Sequence, residues 1–283
     1  MIATSPRTAA ASADRPTWPA LLSRPYPAVM GVLNLTPDSF SDGGQFIAPE
    51  HALAQAQRMI AEGADIIDIG AESTRPYGAE PVSAEEELKR LQPILADVVS
   101  LGVPVSIDSM KSAVVAWALD AGATIANDVW GLQRDPDMAR LLAARHCPVV
   151  IMHNRDRADA GIDIMTDIAG FFARSLETAA KAGISRENIV LDPGIGFGKT
   201  PEQSMTVLAR LSQLGTFGLP LLVGASRKRF ISSVSPSEPH QRLGGSIAAH
   251  LIAARGGARI IRTHDVSETV QALRVATAIW DKE

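Results

Sequence analysis

The sequence predicts an α/β fold, a single (β/α)8 TIM barrel, and three observations carry that prediction. Short apolar runs rich in Val, Ile and Leu recur eight times between residues 28 and 265, each leading to a helical pattern. Eight such units over about 255 residues match the length typical of this fold, about 250. Almost every run ends on a polar residue, as expected where a barrel builds its site at the C-terminal ends of the strands. An open doubly wound sheet usually has fewer strands and a glycine-rich first turn, which this chain lacks.

The bulk properties agree. The 283 residues are 46% hydrophobic and 20% charged, which suits one large α/β domain or two small ones with ample core. A net charge of −4 and a pI of about 5.9 give no sign of a nucleic-acid surface. The lone Cys147 precludes an internal disulfide and fits a reducing compartment. Residues 1–24, rich in Ala, Ser, Thr and Pro, read as a flexible tail ahead of a barrel spanning 25–283. They lack the continuous apolar stretch of a signal peptide, and no segment approaches the apolar length of a membrane span. The chain is therefore read as cytoplasmic.

Ala28–Asn34 (AVMGVLN) is the first strand and ends on Asn34. After the polar loop LTPDSFSDGGQF, the spacing predicts a helix over 49–62. Ala64–Ala71 (ADIIDIGA) is the second strand, leaving through Glu72, Ser73, Thr74, Arg75 and Pro76. Ser83 followed by Glu85 and Glu86 makes an N-cap with first-turn acids, opening a helix to Ser100 that Gly102 stops. Val103–Ser109 (VPVSIDS) brings Asp108 to the third exit, with a helix over 111–121. Thr124–Val129 (TIANDV) brings Asn127 and Asp128 to the fourth, with a helix over 135–146. Pro148–His153 (PVVIMH) ends on His153, and the loop NRDRADAGID leads into a helix reaching Ala182.

The sixth unit, Ile189–Lys199 (IVLDPGIGFGK), is the most informative. Its strand delivers Asp192, and Pro193 ends it because proline has no N–H to continue a ladder. Gly194, Gly196 and Gly198 then leave a backbone able to approach a ligand closely. This is not a phosphate-binding loop of the G-x-x-x-x-G-K-[ST] kind, because Pro193 stands where the first glycine belongs. A helix over 201–214 leads to Leu221–Ser226 (LLVGAS), which leaves through Arg227 and Lys228. A helix over 241–254 precedes the eighth strand, Arg259–Asp265 (RIIRTHD), and Ser267 caps a last helix to Trp280.

The exit residues divide by chemistry. Asp108, Asn127 and Asp192 are short groups suited to the edge of a flat heterocycle, and a carboxylate suits a guanidine-like N–H pair. Arg262 and His264, with Asn34 across the barrel, form a more cationic side suited to phosphates. Asp128 and Asp265 are read as turn formers or caps, the commoner role of such residues at a strand end. His153 suits a structural role as well as a functional one, and Lys199 and Arg227 read as solvated loop charges. No cluster has the spacing of a tight transition-metal site. A hard cation held mainly by substrate phosphate, with Asn34 as one oxygen ligand, fits better, and Mg²⁺ binds that way. With no Ser–His–Asp arrangement and no cysteine near an exit, transfer of a group bearing a good leaving group is the natural reaction type.

Several stretches also resemble one family. They are Met30–Gly44 (MGVLNLTPDSFSDGG), Asp68–Pro76 (DIGAESTRP), Asp192–Lys199 (DPGIGFGK), Gly224–Lys228 (GASRK) and Arg262–Val266 (RTHDV). With SIDS at Asp108 and NDV at Asn127 in order between them, they resemble dihydropteroate synthases from residue 28 to the end. The resemblance implies a (β/α)8 enzyme that joins 6-hydroxymethyl-7,8-dihydropterin diphosphate to 4-aminobenzoate. Diphosphate leaves and 7,8-dihydropteroate forms, a step of folate biosynthesis. It implies Asn34 as the Mg²⁺ ligand and Asp108, Asn127, Asp192 and Lys228 as the pterin pocket. Thr74, Arg262 and His264 would handle the diphosphate, with Arg262, His264 and Lys228 carrying catalysis. Arg75, Pro76, Phe197, Ser226 and Lys228 would meet the aminobenzoate, and loops 35–46 and 73–82 would be mobile.

A homodimer is implied by the family alone. One region departs: after Met-His the family often continues with Met and Gln-Gly, whereas this chain reads Asn154-Arg155-Asp156-Arg157. Two rival readings remain, a corrinoid-dependent methyltransferase and a pterin-binding barrel without activity. The first would not require the TPDSFSDGG loop or the SRK exit.

Overall fold

The computed structural model describes residues 17–35, 49–72 and 82–283. Among these, eight parallel strands pair each with the next, and the last pairs back with the first to close a barrel. The strands are β1 (Ala28–Asn34), β2 (Ile66–Gly70), β3 (Val105–Asp108), β4 (Ile125–Asp128), β5 (Val149–Met152), β6 (Ile189–Asp192), β7 (Leu221–Val223) and β8 (Ala258–Thr263). Around them run α2 (Pro49–Ala61), α3 (Ala84–Leu91), α4 (Leu95–Val99), α5 (Ser112–Asp120), α6 (Met138–Ala144), α7 (Ile164–Ala182), α8 (Pro201–Ala209), α9 (Arg229–Val234), α10 (Leu243–Arg255) and α11 (Val266–Trp280). A further short helix, α1 (Trp18–Leu22), precedes the first strand.

Each strand is covered on both faces, which is why it reads as an apolar run and not as an alternation. The period of two still sorts the side chains. In β2, Ile67 and Ile69 pack outward among the helices, while Ile66 joins an inner floor with Met30, Ile125, Val150, Val190, Leu222 and Ile260. Two residues further along five of these strands stand Asp68, Asn127, Met152, Asp192 and Arg262. One level of the interior is thus hydrocarbon and the next is polar. That offset of two residues turns a packed core into a site.

Three expectations need correction. Of the supposed tail 1–24, residues 1–16 lie outside the described residues, but α1 is helical and packs Trp18 and Leu21 against the inner floor. The two stand three apart and share a helix face, and Pro19 sits in the first turn, where its missing N–H costs nothing. The helix expected over 83–100 breaks into α3 and α4 around Pro93, which cannot donate and crowds the preceding turn. The helix expected over 201–214 ends at Ala209 and gives way to 3-10 turns over Leu211–Phe217.

Candidate active site

The C-terminal mouth of the barrel holds a narrow cleft lined by Asp108, Asn127, Asp192, Phe197, Lys228 and Arg262, with Val129, Met152, Ile195 and Gly224 between them. Six residues chosen from the sequence therefore converge. Their placement follows from register: Asp108 and Asn127 are directly paired on β3 and β4, and Asp192 closes β6 beside Met152.

At the base, Arg262 binds two carboxylates at once. Its Nε donates to Asp68 Oδ2 at 2.6 Å and its Nη2 to Asp108 Oδ2 at 2.8 Å. Asn127 Nδ2 donates to the same Asp68 oxygen at 3.2 Å, so its amide is turned with Oδ1 away from Asp68. Asp108 Oδ1 and Asn127 Oδ1 are buried and have no hydrogen-bond partner among the described residues. Asp192 Oδ1 accepts the Gly194 N–H at 2.7 Å. Burial pushes the Asp108 carboxyl up to about 7 against the pull of Arg262, and it pushes Asp192 up to about 6 against the Gly194 hydrogen bond and Lys228. The wall is therefore rich in acceptors and short of donors, and it invites a ligand edge that carries N–H groups.

Arg262 was expected on a diphosphate-facing side, yet its guanidinium is spent on Asp68 and Asp108, next to the heterocycle-reading residues. Asp68 itself is a residue that reading the exits misses, because it lies two positions before the strand end. Counting back by two from Gly70 in IIDIG would have found it, a lone carboxylate on the inner side of an apolar strand.

On the facing side, the Phe197 ring lies under Lys228 Nζ at 4.0 Å. Ser226 Oγ accepts the His264 backbone N–H at 3.3 Å and meets His264 Nδ1 at 3.0 Å. In the tautomer whose Nδ1 accepts the Ser226 hydroxyl hydrogen, the ring proton is on Nε2. His264 is exposed beside the cleft, and desolvation followed by the Arg262 charge lowers its pKa from the ordinary imidazole value. Ser226 and His264 stand beside the cleft and do not line it. Asn34 ends β1 opposite Gly70 and is half-buried. Thr74, Arg75 and Pro76, and all but the end residues of the loops 35–46 and 73–82, lie outside the described residues.

Asp128 forms the turn expected of it, accepting the Trp130 and Leu132 N–H groups at 2.9 and 2.7 Å, whereas the Asp265 side chain caps no helix and is ion-paired to Arg227. Neither Arg227 nor Lys199 is a solvated charge: the first is paired, and the second is only 6% exposed. Among the described residues no group of three His, Cys, Asp or Glu gathers to hold a metal. Asn34 contributes a single amide oxygen, a donor set that fits a hard cation completed by phosphate oxygens and water.

Comparison with known proteins gives one answer. The family model described as pterin binding enzyme matches residues 30–264. The dihydropteroate synthase of Bacillus subtilis is 42% identical over 268 residues, covering 94% of this chain and 93% of that protein. The structure of the Clostridium difficile enzyme in the presence of pteroic acid superposes with a TM-score of 0.86 at 46% identity, covering 90% of this chain and 97% of that one. The Xanthomonas albilineans enzyme with 4-aminobenzoic acid gives 0.87 at 43%, covering 92% and 94%. A barrel of this topology, an acceptor-lined cleft at its mouth and identity above two-fifths along nine-tenths of its length together place this chain in the pterin-binding enzyme family, among the dihydropteroate synthases.

Proposed function

We infer that the protein joins 6-hydroxymethyl-7,8-dihydropterin diphosphate to 4-aminobenzoate, releasing diphosphate and forming 7,8-dihydropteroate. The observation that carries this reading is the pair of buried acceptors Asp108 Oδ1 and Asn127 Oδ1, without a partner among the described residues and in one cleft with Asp192. Buried acceptors in want of donors suit the N–H edge of a pterin.

Asp108 and Asp192 accept that edge, and their charge offsets the positive charge that spreads into the ring as the methylene C–O bond breaks. Arg262 orients Asp108 and favours its carboxylate form against the effect of burial. Neutral His264, in the tautomer that donates through Nε2, and the Lys228 ammonium stand on the side where the departing oxygen gains charge. The arylamine nitrogen forms the new C–N bond and gives its surplus proton to water. A neutral arylamine is already a nucleophile near pH 7, so no strong base is required. Asn34 would hold Mg²⁺ together with the diphosphate. When bound, such an ion neutralises charge on the leaving group. Thr74 belongs to the diphosphate side of this reading, and Arg75, Pro76, Phe197 and Ser226 to the arylamine side.

A homodimer is part of the proposal. Exposed Ile252 on α10 and exposed Val275 and Ile279 on the adjoining α11 offer an apolar face for a second copy. So is a cytoplasmic location, supported by the single Cys147, which is buried and free. No described helix is long and apolar enough to cross a membrane. Calorimetric titration with the pterin diphosphate tests the reading. One-to-one binding is expected, weakened on the order of tenfold in Asn127→Leu, which removes one acceptor facing the ligand. Equal affinity in the two proteins would overturn it.

A further inference from the structure

Lys199 closes the glycine-rich turn after β6, yet its ammonium does not line the cleft. Nζ points behind the turn, donating to the Phe197 carbonyl at 3.1 Å and meeting His153 Nδ1 at 2.6 Å. His153 is fully buried, and its Nε2 lies 3.0 Å from Asp167 Oδ2 on α7. A carboxylate there takes the ring hydrogen, which leaves Nδ1 as a lone pair facing Lys199. Burial, and then the Lys199 charge, holds His153 far below the usual range, so the ring is a neutral acceptor. Asp167 also takes Arg155 Nη1 at 3.4 Å. The chain Asp167–His153–Lys199 thus ends on the carbonyl of the residue whose ring lines the cleft.

The turn has no freedom on its other side. Gly194 has a φ of +66°, and a Cβ there would stand 2.0 Å from the His153 carbonyl oxygen. Gly198 has a φ of +54°, and a Cβ there would stand 2.4 Å from Arg155 Cβ. The plate that the turn rests on is therefore His153 to Arg155, the beginning of the loop where this sequence leaves its family's pattern.

We propose that Lys199, backed by His153 and Asp167, is a positioning residue for the arylamine subsite: it fixes the turn that presents Phe197. The proposal rests on the reaction inferred above. Lys199 does not line the cleft, so it acts on the arylamine subsite through the Phe197 carbonyl it holds. A methionine of similar length would keep the packing and lose both polar contacts. The ring would then lose its fixed height above the mouth of the cleft.

Steady-state kinetics of diphosphate release, with calorimetry of the pterin diphosphate, test this. Lys199→Met is expected to raise the KM for 4-aminobenzoate on the order of tenfold, while the Kd for pterin diphosphate stays within about threefold. Lys199→Arg, which keeps the donors, should recover most of the loss. Phe197→Ala should raise the same KM, and adding Lys199→Met to it should change that KM less than twofold, since coupled residues are not additive. If Lys199→Met fails to fold, Asp167→Ala, at a side chain one-third exposed, carries the same test with a smaller rise in KM. Wild-type turnover with an unmoved KM in these variants, or full additivity with Phe197→Ala, would overturn the proposal alone. No arylamine-dependent turnover in the wild type would overturn the reaction and the proposal together.

Discussion

Asp108 is held between opposite demands, since burial favours its acid form and Arg262 its carboxylate. A pterin edge with N–H donors binds the carboxylate better, because a charged acceptor makes a hydrogen bond roughly twice as strong. With Asp108 pushed up to about 7 and Asp192 to about 6, both are partly protonated in mildly acid solution. Affinity for the pterin should therefore rise with pH from 5.5 to 8, on the order of tenfold, and Asp192→Asn should flatten the lower part of the curve. A Kd independent of pH over that range would contradict the charge state assigned to the site. Arg262→Ala is expected to be severe. It strips the cation from fully buried Asp68 and from Asp108, a loss of about 3–5 kcal/mol in comparable buried pairs. Both pterin and pterin diphosphate should then bind poorly, alongside a lowered Tm. Loss confined to the diphosphate ligand would place Arg262 on the leaving group instead. Asp108, Asn127 and Asp192 were legible because they end strands. Asp68, which holds Asn127, and Lys199, which holds the Phe197 carbonyl, were not, because a strand-interior carboxylate and a loop lysine reveal their burial only when neighbouring strands and loops are in place.

Among the elements, the strands were legible and the irregular pieces were not. A strand covered on both faces writes itself as a continuous apolar run, and all eight appear where those runs stand. Helix α1 left too faint a trace, three large apolar residues (Trp18, Leu21 and Leu22) at the end of a stretch dominated by Ala, Ser, Thr and Pro. Its role can be tested by Leu21→Ala. Leu21 is 1% exposed against the inner floor, so the change should cost about 2–5 kcal/mol on denaturant unfolding. The Kd for pterin diphosphate should stay unchanged, since the floor lies below the polar level. A loss under about 0.5 kcal/mol, the range of surface changes, would mean that α1 does not plug the barrel in solution. The turn after β6 makes a contrasting test. Gly194→Ala forces a Cβ against the His153 carbonyl at a positive φ, so it should lower both Tm and pterin affinity by shifting the N–H that Asp192 accepts.

For the whole molecule, the barrel explains why residues from β2, β3, β4 and β8, spread from position 68 to 262, meet within hydrogen-bonding distance, with Asp192 of β6 lining the same cleft. Closure in sequential order makes each strand end a neighbour of the next, so a list of exits becomes a ring of side chains. The chemistry then follows from which of those side chains remain unpartnered. The most direct test follows diphosphate release from 6-hydroxymethyl-7,8-dihydropterin diphosphate, in Mg²⁺, with and without 4-aminobenzoate. Release that requires the arylamine and matches 7,8-dihydropteroate one for one is the expected result. Release that proceeds equally without the arylamine, or none with both substrates saturating, would contradict the assignment.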